Sequence, residues 1–188
     1  MADTQNPVLA RTPPQILGPF YPIALKPELG GDLTSHAGGR AAGTVLYLSG
    51  TVTTPAGAPV ANAQIEVWQA NSKGRYNHPG DENTAPLDPH FAGYALLHTD
   101  SEGRYALRTI RPIAYPVAPG VIRPAHIHFM VTSQMERLVT QMYFAGDKYN
   151  ETDPWRNSTA RADALTVDPT PRADGSQEAT FDIVMMRA

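Results

Sequence analysis

Eighteen prolines and fifteen glycines cut this 188-residue chain into short apolar runs, none of which holds a helical period for long. The runs are rich in Val, Ile, Thr, Tyr and Phe, residues that suit a pleated, half-buried surface. The spacing predicts strands over 45–54, 64–69, 94–99, 104–110, 125–132, 138–144 and 179–186. Pro55-Ala56-Gly57-Ala58-Pro59 and Asp100-Ser101-Glu102-Gly103 supply the turn chemistry for two hairpins or neighbouring strand pairs. About seven such strands make an all-β chain, an antiparallel β-sandwich of two packed sheets with long loops and few short helices. A turn of helix is expected near 153–164, opened by Pro154, and carrying no obvious chemistry. Residues 1–40 and 149–177 are Pro-, Gly- and polar-rich, so they are expected to run over the surface or onto a partner chain. The whole of 1–188 reads as one domain with 1–40 as an extended N-terminal arm.

The chain has no cysteine, which removes disulfides, thiolate zinc sites and cysteine-held iron–sulfur clusters. Any metal must then be held by nitrogen and oxygen. A net charge of −3 with no basic block argues against nucleic acid or an anionic membrane as partner. The start is polar, with neither the basic beginning nor the apolar core of a secretory signal, and no run reaches membrane-spanning length. The expected location is cytoplasmic and the expected partner a small molecule.

The segment Arg123-Pro124-Ala125-His126-Ile127-His128-Phe129 concentrates the chemistry. On a strand, His126 and His128 share one face while Ile127 and Phe129 take the other. Two neutral imidazoles side by side begin a transition-metal site, although histidines with ordinary hydrogen bonds satisfy the same pattern. Gly120, six residues before His126, fits a cupin-type motif, but that motif wants an acid four or five residues after the second histidine, where Thr132 and Ser133 stand.

Two tyrosines in turn-like places offer oxygen donors, Tyr76 in Gly74-Arg75-Tyr76-Asn77-His78 and Tyr115 in Ile113-Ala114-Tyr115-Pro116. Singly, each is an ordinary packing tyrosine. Beside the histidine pair they point elsewhere, because a phenolate is a hard anionic donor suited to Fe(III) and a zinc site rarely needs two of them.

With these segments assembled, the chain resembles the intradiol ring-cleavage dioxygenases, in their protocatechuate 3,4-dioxygenase-like branch. The likeness runs from Gly18-Pro19-Phe20-Tyr21-Pro22 to Phe181-Asp182-Ile183-Val184. It includes Ile65-Glu66-Val67-Trp68-Gln69-Ala70-Asn71, Leu87-Asp88-Pro89-His90-Phe91-Ala92-Gly93, Arg108-Thr109-Ile110 and Leu138-Val139-Thr140-Gln141-Met142-Tyr143-Phe144. The resemblance implies that Tyr76, Tyr115, His126 and His128 bind non-haem Fe(III). All four positions are filled, so the chain is expected to be catalytic in its own right.

The activity so implied is opening of a catechol-type ring, whether protocatechuate, catechol or a substituted catechol, with O2 to give a cis,cis-muconate. Tyr115 is expected to leave the iron and take a catechol proton, Arg123 to lie over the ring and stabilise negative charge, and Gln141 to orient substrate or oxygen. Tyr21 is expected at the pocket mouth, and Val117 in the pocket wall where protocatechuate enzymes carry a Trp. Arg75 and Asp81 read as supporting groups and Trp68 as core. The expected assembly is a homo-oligomer, alone or with a second related subunit. Two other readings stand beside this one. One is a cupin-like metal oxygenase; the other is a non-catalytic prealbumin-like binding module, which Gly50-Thr51-Val52, Gly57-Ala58-Pro59-Val60 and Ala63 also resemble.

Overall fold

A computed structural model describes residues 8–23 and 30–188, so the parts of the expected arm at 1–7 and 24–29 lie outside the described residues. In chain order the strands are β1 (Ser35–His36), β2 (Gly39–Arg40), β3 (Val45–Thr53), β4 (Gln64–Trp68), β5 (Tyr94–His98), β6 (Arg104–Ile110), β7 (Tyr115–Ala118), β8 (Val121–Arg123), β9 (His126–Thr132), β10 (Arg137–Phe144), β11 (Thr166–Val167), β12 (Thr170–Pro171), β13 (Gln177–Thr180) and β14 (Ile183–Val184). Short 3-10 turns at Arg156–Ser158 and Ala162–Leu165 are the helical content of the described residues. None of their helices is long and apolar enough to cross a membrane.

Two five-stranded sheets form the sandwich. One runs β11-β10-β9-β4-β5; the other runs β12-β13-β3-β14, with β6 also paired to β3. Both predicted hairpins are corrected by this order. β3 and β4 lie in different sheets, as do β5 and β6, so each turn is a crossover between layers. The local turn signal was sound, and the choice of pairing partner was made by burial. Leu46, Leu48 and Val52 of β3 face Ile65 and Val67 of β4 and Ile127, Phe129 and Val131 of β9 across one shared core. Each fully buried aliphatic or aromatic side chain there contributes about 1.5–3 kcal/mol.

The sheets are also not purely antiparallel, since β13 and β14 run parallel to β3 and β11 runs parallel to β10. The strand expected over 179–186 is broken at Phe181-Asp182. There the Asp182 carboxylate replaces a backbone acceptor, taking the Thr51 N–H and the Thr51 hydroxyl at 2.8 Å each.

β9 is buried on both faces except at its last residue. Its inner face packs into the sandwich, and its outer face is roofed by loops and by the N-terminal arm. The arm follows the part of the β10 edge that β11 leaves open, where Gln15 N–H donates to Val139 O at 2.8 Å and the Thr140 hydroxyl donates to Pro13 O at 2.8 Å. It also bridges to the second sheet, as Thr12 N–H donates to Val184 O at 3.0 Å. The edge of the sheet is thereby covered rather than left as a template for aggregation.

Gly50 sits where the Phe181 backbone crosses β3, and a Cβ there would overlap the Phe181 carbonyl oxygen and come within 2.9 Å of the Tyr105 ring. Gly57 has φ +81° with nothing within 4 Å. Gly50→Ala is expected to destabilise by about 2–3 kcal/mol through overpacking against backbone, and Gly57→Ala by about 1 kcal/mol through left-handed strain alone. Urea midpoints of the two variants check this order.

Candidate metal centre and active site

His126 and His128 project from the outer face of β9, opposite Tyr143 and Gln141 of β10 in the strand register, with Trp68 of β4 on the other side of His128. Period-two alternation alone puts these five side chains on one surface. Trp68 stacks on His128 with centroids 4.8 Å apart and planes 10° apart, so the indole is core as expected and also fixes one imidazole.

Tyr76 comes from the loop after β4. Asn71 shapes that loop by accepting the Lys73 and Arg75 N–H groups at 2.8 and 3.1 Å on its side-chain oxygen. Asp81 anchors the Tyr76 N–H at 2.7 Å and the Asn83 N–H at 2.9 Å, a supporting role, while Arg75 donates to Ala85 O at 2.7 Å. Tyr115 begins β7, opposite Arg123 at the end of β8. Gly74 has φ +78°, and a Cβ on it would lie 2.8 Å from the Tyr115 Cβ. Glycine at this position lets the two tyrosine-bearing loops approach.

Three polar atoms converge. The Tyr76 hydroxyl, the Tyr115 hydroxyl and His126 Nε2 are each 3.4 Å from the other two. These separations exceed the usual range for hydroxyl hydrogen bonds, about 2.5–3.0 Å. A triangle of this edge has a centre about 2.0 Å from every corner, the length of a metal–nitrogen or metal–oxygen bond. His126 Nδ1–H donates to Pro124 O at 2.7 Å, and because a carbonyl only accepts, the Nε2 lone pair is the one aimed into the triangle. His128 lies beside it, ring centroids 4.9 Å apart, and its buried Nδ1 has no hydrogen-bond partner among the described residues.

The four side chains are 1–6% exposed. Burial holds both imidazoles well below their ordinary pKa, with the Arg123 charge acting in the same direction, so both are neutral bases. Burial likewise pushes the Tyr76 and Tyr115 phenols up, so they keep their protons unless a strong positive charge lies beside them. Among the described residues no group of three histidines, cysteines, aspartates or glutamates is placed to hold a cation. A metal here would need the phenols. Two neutral imidazoles and two hard oxygens in a dry setting fit a trivalent iron well.

Arg123 is 4% exposed and held on every side. Its Nε donates to Asp153 at 3.0 Å, and its Nη2 donates to Gln141 Oε1 at 2.9 Å and to the Tyr143 hydroxyl at 3.0 Å. The guanidinium carbon lies 4.7 Å from the Trp155 ring centroid, and Nη1 reaches His126 Nε2 at 3.2 Å. Gln141 is fully buried and ties this cluster to the arm by donating to Ile16 O at 2.8 Å. Asp153 and Trp155 fall in the stretch expected to carry no obvious chemistry, and they supply partners of the buried guanidinium. Tyr143 was legible in principle, two residues after Gln141 and therefore on the same face.

A cavity of about 680 Å³ opens beside Tyr115, lined in part by Phe20, Asp81, Glu82, Val117 and Ile122. Val117 is thus in a wall next to the phenol. Tyr21 is not among the lining residues. Its hydroxyl donates to Glu66 at 2.6 Å and its ring meets Trp68 edge-on, while Phe20 packs 4.9 Å from the Tyr76 ring. Glu66, 3% exposed, also accepts from the Tyr94 hydroxyl at 3.0 Å and so fastens the arm over the site.

The chain is similar to known proteins. A family model described as dioxygenase matches residues 16–187. The protocatechuate 3,4-dioxygenase beta chain of Burkholderia cepacia is 46% identical over 137 residues, covering 70% of this chain and 58% of that one. The catechol 1,2-dioxygenase of Acinetobacter baylyi is 36% identical over 179 residues, covering 87% and 55%. The chain thus spans about half the length of the relatives it matches. Among solved structures, the dioxygenase domain of a dioxygenase–carbohydrate-binding fusion from Streptomyces sp. SirexAA-E aligns with a TM-score of 0.74 at 28% identity, covering 95% of this chain and all of that one. Catechol 1,2-dioxygenase from an Acinetobacter species aligns with a TM-score of 0.73 at 31% identity, covering 94% and 63%. With the family model spanning nearly the whole chain and relatives of 46% and 36% identity covering 70% and 87% of it, the chain belongs to the intradiol ring-cleavage dioxygenases.

Proposed function

We propose that this protein is a non-haem Fe(III) intradiol dioxygenase that opens the ring of a catechol-type substrate with O2 to give a cis,cis-muconate. The observation that carries the reading is the triangle of Tyr76, Tyr115 and His126 atoms at 3.4 Å. Its spacing suits one ion better than a set of hydrogen bonds. Tyr76, Tyr115, His126 and His128 would hold the iron, which when bound supplies Lewis acidity and a template for the two substrate oxygens.

The chain's own groups do the rest. Tyr115 Oη, on the hairpin beside the cavity, takes a catechol proton. Arg123, prevented from swinging by Asp153, Gln141 and Tyr143, presents a fixed positive charge to the ring as negative charge develops there. Gln141 holds the guanidinium and orients substrate or oxygen. Loops and arm exclude water, leaving each buried charge less screened. A cupin-like site would require an acidic ligand that Thr132 and Ser133 do not provide. A non-catalytic module gives no reason for burying this donor set. Exposed Ile113, Val117 and Val121 around the β7–β8 hairpin support a homo-oligomer, alone or with a second related subunit, as the Burkholderia cepacia beta chain suggests.

Oxygen uptake by the iron-loaded protein with catechol is expected to yield the intradiol product, cis,cis-muconate. An extradiol aldehyde product would refute the reading. Tyr115→Phe is expected to shift the visible spectrum of the iron-loaded protein and weaken catechol binding, whereas a protein without iron at this site would show neither change. Asp153→Asn is expected to lower kcat by about 10- to 100-fold with iron content retained, the usual range for losing a group that orients a site from behind. An unchanged kcat would remove Asp153 from the catalytic arrangement.

A further inference from the structure

We propose that the substrate is a catechol bearing no negatively charged ring substituent, which sets this chain apart from enzymes that act on a carboxylated catechol. The inference rests on the intradiol reading above and concerns the cavity beside Tyr115. Its walls are apolar at Phe20, Val117 and Ile122, and its acidic side chains are Asp81 and Glu82. Among the described residues that line it there is no lysine, arginine or histidine.

Asp81 is held in place. Its two carboxylate oxygens accept the Tyr76 and Asn83 N–H groups at 2.7 and 2.9 Å, so it cannot turn away from an incoming anion. Glu82, the next residue, is exposed at the rim and adds a second negative charge. Arg123 is not among the residues that line it: its guanidinium is held at the donor cluster, 3.2 Å from His126 Nε2, by Asp153, Gln141 and Tyr143. A catechol seated against Tyr115 would therefore direct its outer ring positions toward apolar walls and two carboxylates. Hydrogen, methyl or halogen substituents suit such walls. A carboxylate would give up water without gaining a cation from the described lining residues, which is unfavourable in a partly dry cavity.

The test compares catechol, 4-methylcatechol and protocatechuate on the iron-loaded full chain, by kcat/KM from oxygen uptake and by anaerobic titration of the visible spectrum. Catechol and 4-methylcatechol are expected to exceed protocatechuate by roughly tenfold or more in both readouts. The disadvantage of protocatechuate should shrink as salt rises from 0.01 to 0.1 M and the screening length falls from about 30 to about 10 Å. Glu82→Lys is expected to raise the protocatechuate-to-catechol ratio at least about fivefold, with Glu82→Gln moving it the same way by less. Equal or better use of protocatechuate by the unaltered protein, or a ratio that neither variant moves, would overturn the inference while leaving the intradiol reading intact. Failure to open any of the three rings would instead overturn the intradiol reading.

Discussion

The structure turns on the burial of two imidazoles and two phenols against the outer face of β9, a place where an ordinary sandwich would meet water. Burying polar groups is costly unless they find partners. The Tyr76, Tyr115 and His126 atoms stand at separations too long for good hydrogen bonds to one another, and His128 Nδ1 has no partner among the described residues. Much of the rest serves to keep that cluster dry and fixed. The Asn71 turn and the Asp81 carboxylate set Tyr76, the β7–β8 hairpin sets Tyr115 and Arg123, and the N-terminal arm lies across the top, fastened by Tyr21 to Glu66.

The sandwich beneath is a rigid support for this face. Because β9 is buried on both sides, Ile127 and Phe129 cannot shift without disturbing the core, and His126 and His128 are held with them. Close packing makes such a strand stiff. The arm contributes in a second way, since Gln141 hydrogen-bonds Ile16 O while also accepting from Arg123, so closure of the sheet edge and placement of the guanidinium are linked.

Most of the site was legible in the sequence because its signals are local. The His-x-His spacing places both rings on one face by strand geometry alone, and the strand over 104–110 was read to the residue. What escaped was non-local. The crossovers after β3 and β5 look like hairpins over a ten-residue window, and only the shared core shows that Leu48 and Ile65 belong to facing layers. Asp153 and Trp155 are thirty residues or more from Arg123 in a segment without periodicity, so no pattern marks them as its partners. Tyr21 shows a different limit. Its segment does reach the site, but Glu66 captures the hydroxyl, and Phe20 is the residue beside the cavity.

The scaffold and the cavity wall play different parts. The convergence of donors follows from strand register and two loops, and the cavity wall at Val117 and Glu82 lies next to these but outside the core, Val117 on the β7–β8 hairpin and Glu82 on the exposed loop after Asp81. On the proposed function, ring opening would be carried by the donor cluster and substrate choice by the cavity wall beside it.

The most direct measurement is the visible absorption spectrum of the purified protein after aerobic loading with ferrous iron, taken together with its iron content. The account predicts one iron per chain and a red to burgundy colour from tyrosinate-to-iron charge transfer, weakened in Tyr76→Phe. A protein that binds iron yet remains colourless would contradict the assignment of the two phenols, and with it the chemistry argued from them.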